Sequence, residues 1–152
     1  MLPYSEQQLI DANVNPATGL ATDYLNLFNE AVMLFEMGLD MPDMAEELVD
    51  WHPRGYIEHF EQSGFEMKDV VVAAYMFAPG DIREAFDATV ARALSVFDSS
   101  VHILLSTHVM DEAARADLDG RLAEMKALVI EMDAHIHGRV EADLQSEVDA
   151  LF

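Results

Sequence analysis

Apolar residues recur along this chain at steps of three and four, the spacing of one helix face, and the sustained alternation of half-buried strands is missing. The clearest stretch predicts a helix over 81–110, where Ile82, Phe86, Val90, Ala93, Phe97, Val101, Leu104 and His108 fall on one side. Asp81 and Glu84 open it with the spacing of a capping pair, aspartate standing in place of serine or threonine. A last long helix is expected over 114–151. Its seam is Leu118, Leu122, Met125, Val129, Met132 and Ile136, after which the stripe drifts to Val140, Leu144, Val148 and Leu151. Gly120 and Gly138 each weaken that helix by about 1 kcal/mol relative to alanine, and Gly138 marks a kink or a break.

Upstream, a long helix is expected over 21–37, with Gly38 as a left-handed residue at its end. Shorter helices follow over 42–51 and 53–62, each starting at a proline, and over 68–78, stopped by Pro79-Gly80. Asn13, Asn15, Pro16 and Gly19 break the pattern before residue 21. The expected architecture is all-α: an irregular segment over 1–20, then a single helical-bundle domain over 21–152 with five to six helices, three of them long.

Charge changes the picture more than any motif. The chain has 29 acidic and 8 basic residues among 152, a net charge of −21. Such a surface repels phosphate backbones and anionic lipid, which argues against nucleic acid and membrane surfaces as partners. The acids are spread along the chain: residues 40–69 hold nine acids against two bases, whereas 81–100 hold four against two. The more neutral helix over 81–100 is therefore expected to lie deepest. With 51% apolar residues the chain can bury a sizeable core. It has no cysteine, so disulfides, thiolate chemistry and sulfur zinc sites are excluded. The longest apolar run, 70–78, is far short of the roughly 20 residues that span a bilayer, and the N-terminus has no signal-peptide pattern, so a cytoplasmic setting is expected. High acid with little lysine is also what a saline habitat would select.

No catalytic motif stands out. The Gly-rich phosphate loop, the Gly-x-Ser-x-Gly elbow and the dinucleotide fingerprint are all missing. The oddest pattern is on the first long helix, where Asp23, Asn26 and Glu30 share a face with Asn29 beside them, in a stretch apolar nearly all round. Asparagine is a poor helix former, and a buried Glu30 needs a partner, for which His59, Arg92 and His102 qualify. These residues predict a solvent-facing or partly buried polar network, or else a partner-binding face or small-ligand pocket of Asp23, Asn26, Asn29, Glu30 and His59. No cofactor is expected; a divalent metal is the alternative, with Glu30, His59 and His102 as ligands. Pairs four apart, Glu131/His135, Asp133/His137/Glu141, Asp98/His102 and His108/Glu112, are either chelating pairs or ordinary surface pairs. Trp51-His52-Pro53-Arg54-Gly55-Tyr56 reads as a helix–helix corner or a recognition loop, with Arg54 expected to hold Asp50 or Glu58. Ten methionines, including Met33, Met37, Met41, Met44, Met67 and Met76, suggest adaptable packing against a core, a partner helix or a second subunit.

The stretch Asn15-Pro16-Ala17-Thr18-Gly19-Leu20-Ala21-Thr22-Asp23-Tyr24-Leu25-Asn26-Leu27-Phe28-Asn29-Glu30, running on to Met37, resembles the opening of a set of small uncharacterised alphaproteobacterial proteins. Met41-Pro42-Asp43-Met44 and Tyr56-Ile57-Glu58-His59-Phe60 are similar to later blocks of that group. The resemblance covers the first half of the chain and implies a bacterial setting with no known chemistry. The combined expectation is a non-catalytic acidic interaction or regulatory protein that binds another protein or itself, as a homodimer. The alternative is a ligand- or metal-binding bundle around Glu30.

Overall fold

The computed structural model describes residues 4–138. The order is α1 (Glu6–Asp11), β1 (Val14–Asn15), β2 (Leu20–Ala21), a 3-10 turn (Thr22–Tyr24), α2 (Leu25–Asp40), a 3-10 segment (Pro42–Leu48), α3 (Tyr56–Gln62), α4 (Lys68–Met76), α5 (Gly80–Ser106) and α6 (Glu112–His137). This is an all-α helical bundle with three long helices, as the periodicity predicts, decorated by one two-residue β ladder.

The first twenty residues are more ordered than their breakers suggest. Ser5 and Gln8 form a capping box at α1: the Ser5 hydroxyl accepts from the Gln8 N–H at 3.1 Å, and the Gln8 side chain accepts from the Ser5 N–H at 2.8 Å. The chain then turns through Asn13 at φ 62° and pairs Val14 with Ala21 and Asn15 with Leu20. Gly19 closes the hairpin at φ 75°, and a Cβ there would lie 2.9 Å from the Ala74 carbonyl oxygen. The hairpin caps α6: the Thr18 hydroxyl and the Asn15 amide both donate to the Ile136 carbonyl, at 2.7 and 3.1 Å. Gly138 follows in the left-handed conformation and ends α6. Val140, Leu144, Val148 and Leu151, on which the expected extension of this helix rests, lie outside the described residues.

Several boundaries move for identifiable reasons. Helix α2 starts at Leu25 and runs through Gly38. Gly38 is therefore not a helix end. It is where the 3-10 segment crosses closely, since a Cβ would sit 3.1 Å from that of Ala45 and 3.2 Å from the Leu104 side chain. Pro42 opens a 3-10 segment rather than an α-helix, and α3 begins at Tyr56, three residues beyond Pro53. Pro79 occupies the cap of α5, where no side chain caps the helix, so Asp81 and Glu84 do not form the expected box. Asp111 caps α6 instead, accepting from the Ala114 N–H at 2.8 Å.

Phe86, Val90, Ala93, Phe97, Val101 and Leu104 are buried along α5, but Ile82 is half-buried and His108 exposed. In α6, Leu118, Met125, Met132 and Ile136 are buried while Leu122 and Val129 are half-buried. The deepest helix is α2, not α5: seven of its 16 residues are buried, against eight of 27 in α5. Helix α5 is long and apolar enough to cross a bilayer by length and composition, yet its buried side chains belong to the core shared with α2 and α6. Around Tyr24 the core is aromatic, with Phe28 and Tyr56 each 5.2 Å away, edge to face. Phe97 extends the cluster to Phe28 at 5.0 Å and Trp51 at 6.0 Å.

Candidate functional site

Between Leu48 and α3 the backbone makes only isolated turn bonds, Val49 N–H to the Glu46 carbonyl at 3.1 Å and Trp51 N–H to the Leu48 carbonyl at 3.0 Å, and side chains anchor the rest. The Trp51 indole N–H donates to the Leu27 carbonyl at 2.8 Å, and the Tyr24 hydroxyl donates to the Arg54 carbonyl at 2.6 Å. The Tyr56 hydroxyl accepts from the Ala21 N–H at 2.9 Å. Burial raises both tyrosine hydroxyls well above their ordinary value, against the opposing pull of Arg54 on Tyr24 and of the Ala21 hydrogen bond on Tyr56, so they stay neutral. These three bonds tie the corner of residues 51–56 to α2, to the 3-10 turn before it and to β2.

The corner forms one wall of an open groove of about 510 Å³. Glu30 of α2 faces it; Glu47, Asp50 and the Trp51–Arg54 stretch line it, and Glu58 and Gln62 of α3 complete it. Gln62 donates to Glu58 at 3.1 Å, one helical turn back. Four carboxylates and a single guanidinium thus line the same groove. The Arg54 Nε is buried without a hydrogen-bond partner, and no ion pair holds Arg54 among the described residues. The expected pairing with Asp50 or Glu58 is not formed. The groove lining offers carboxylates, an imidazole and an amide, and no hydroxyl nucleophile. With four acids against one arginine, the lining is net negative, which favours a cation over an anion.

His59 lies behind this wall. It is half-buried, edge-on to Tyr24 at 5.5 Å and to Phe60 at 5.1 Å, and its Nδ1 is buried without a partner. Burial lowers its pKa, as does the Arg54 charge, and Asp23 opposes both. Asp23 is half-buried and accepts from the Asn13 amide at 3.3 Å. Asn26, Asn29 and Glu30 are exposed, so the polar face of α2 meets solvent rather than a buried network. Of those candidates Glu30 alone lines the groove. Arg92 pairs with Glu131 and not with Glu30, and His102 is exposed on α5. Among the described residues no three His, Asp or Glu side chains converge as metal ligands, so Glu30, His59 and His102 do not form a common site.

A second polar cluster joins α5 to α6. The buried Thr89 hydroxyl contacts the Ala85 carbonyl and Glu131 at 3.2 Å and the His135 Nε2 at 3.0 Å. Arg92 bonds Glu131 from the outside at 2.5 Å. Burial depresses the His135 pKa, with Glu131 acting against it and Arg92 with it. Glu131/His135 is therefore part of an interhelical network rather than a bare surface pair. His137 pairs with Asp133 at 3.2 Å, Glu141 lies outside the described residues, and His108, within the α5–α6 turn, and Glu112, at the start of α6, are exposed.

Sequence reasoning singled out Glu30 and the 51–56 corner separately, and named Asp50 and Glu58 only as partners for Arg54; it missed their convergence and the part played by Glu47 and Gln62. The available signal was the density of acids on both sides of an aromatic, proline-containing corner. Compared with known proteins, the chain matches no family model, and no curated protein or solved structure resembles it significantly.

Proposed function

We propose that this chain is a non-catalytic interaction protein that docks a cationic segment of another protein in the groove between α2, α3 and the 51–56 corner. The observation that carries this reading is that Glu30, Glu47, Asp50 and Glu58 line one groove that holds a single guanidinium. A net charge of −21 steers a basic partner toward the chain, and Trp51 and Pro53 supply apolar contact once it arrives. The same charge disfavours nucleic acid and anionic membrane as partners, and the reading is of a cytoplasmic protein.

Trp51 is the only tryptophan and lines the groove, so its fluorescence reports occupancy directly. An oligo-arginine peptide is expected to change it saturably at low salt, with affinity falling as salt rises. The Glu47→Gln/Asp50→Asn double variant should weaken binding at least about tenfold while melting like the wild type, since both side chains are exposed. No saturable response, or equal binding by the variant, rules this reading out. Glu30 in the lining also favours a second reading, a small cationic ligand. That reading predicts a response to free arginine equal to the response to the peptide, and its loss in Glu30→Gln.

A further inference from the structure

A second surface lies on the two longest helices, α5 and α6. Between α5 and α6 runs a shallow groove of about 350 Å³, lined by Ala91, Arg92, Ser95, Val96, Glu124 and Leu128. Four of these six are uncharged in a chain with 29 acids, so this strip escapes the general negative charge. Its two charges are opposite in sign, one on each helix. The Arg92 side chain is 59% exposed even while paired with Glu131, leaving donors for a further carboxylate. Gly120 stands one turn before Glu124 on α6, and a Cβ there would meet nothing within 4 Å. Nothing within the chain therefore requires a glycine at this poor helical position.

We propose that the α5–α6 groove is the contact face of a two-fold homodimer, in which the same groove of a second copy packs across it. A two-fold makes the groove complementary to itself: Arg92 of each copy meets Glu124 of the other, while the small residues Ala91 and Ser95 let the helices approach closely. The absence of a side chain at Gly120 serves the same approach. Size agrees as well. Helices of 27 and 26 residues are about 40 Å long at 1.5 Å per residue. Two of them side by side present an outer face of roughly 800 Å² in projection, with the groove as its central strip, so a standard interface would take in the whole face and not the groove alone. Elsewhere two copies repel, so dimerisation should tighten as salt screens the net charge.

The test is sedimentation velocity over a wide concentration range at about 0.15 M salt and above. The wild type should be dimeric. Ser95→Glu, which sets like charges against each other at an exposed position, should weaken the dimer at least about tenfold with an unchanged helical spectrum. Because the chain has no cysteine, Ser95→Cys can be alkylated after folding, which removes misfolding as an explanation. Its thiol should react more slowly in the dimer than that of Val109→Cys, which sits at a position 73% exposed in the α5–α6 turn. A wild type monomeric at every concentration and salt overturns the proposal. So does a dimer that survives Ser95→Glu and leaves the Ser95→Cys thiol as reactive as that of Val109→Cys.

Discussion

The aromatic corner and the α5–α6 pair solve the same problem by different means. At the corner the elements are short: α3 has seven residues and the Pro42–Leu48 segment is 3-10. Elements this short are marginal by themselves. Long-range side-chain bonds from Trp51, Tyr24 and Tyr56 to backbone groups of other segments take over the task of fixing the chain. In the α5–α6 pair the two helices satisfy their own backbones over 27 and 26 residues. There packing along a periodic seam suffices, and a single polar cluster around Thr89 sets the register at one end. The lesson concerns specificity. A corner held by individual hydrogen bonds places a groove, whereas a periodic helix pair leaves a long outer face free for association.

The largest test of this contrast is at Phe97, whose ring touches both Phe28 and Trp51 and so joins the two regions. Phe97→Ala should cost about 3–5 kcal/mol by urea denaturation. If the two regions were independent, the variant would unfold in two steps, one of them at the wild-type midpoint.

Next comes the corner's dependence on single hydroxyls. Tyr56→Phe leaves the buried Ala21 N–H without its acceptor and should cost about 1–3 kcal/mol. Recovery of wild-type stability in that variant would show that packing alone holds the corner.

Acid separates the regions more gently. His59 and His135 both have pKa values lowered by burial, so each binds a proton more weakly in the folded chain than in the unfolded one. The stability this reflects is fully present above the unfolded value of about 6.5 and is lost as pH falls from there through the folded value. The readout is a difference between wild type and variant, so that other effects of acid on the chain cancel. The stability of the wild type should fall relative to His59→Gln as the pH drops from neutral, and likewise relative to His135→Gln. A wild-type-minus-variant difference independent of pH would mean that the imidazole in question titrates alike in both states.

The smallest effect is expected at the ion pair between Lys126 of α6 and Glu36 of α2, whose side chains are half exposed. Lys126→Gln should change stability by about 0–1 kcal/mol, and less at high salt. A larger loss would show that charge, rather than the seam, locks α6 to α2.

What could be read from the sequence divides along the same line. The α5 and α6 seams were visible because a long helix repeats one physical requirement many times, and periodicity sums the repeats. Phe86, Phe97, Met125 and Met132 are core residues in both views. The site was legible only in parts. Glu30 and the Trp51–Tyr56 corner stood out, but whether the polar face of α2 was solvent-facing or partly buried was open, and Asn26, Asn29 and Glu30 are exposed. The capping box at Ser5 and Gln8 was present in the sequence as Ser-x-x-Gln and was outweighed by the breakers after it.

By itself the sequence determined the class of fold, the three long helices and the sign of the surface, because composition and repeated spacing are properties of the chain alone. Only the tertiary structure decided that Gly38 lies inside a helix, that a hairpin caps α6 at Ile136, and that Glu30, Glu47, Asp50 and Glu58 border one groove. Each of these depends on a contact between residues distant in sequence. Such a contact is made once, so no repeated pattern along the chain announces it.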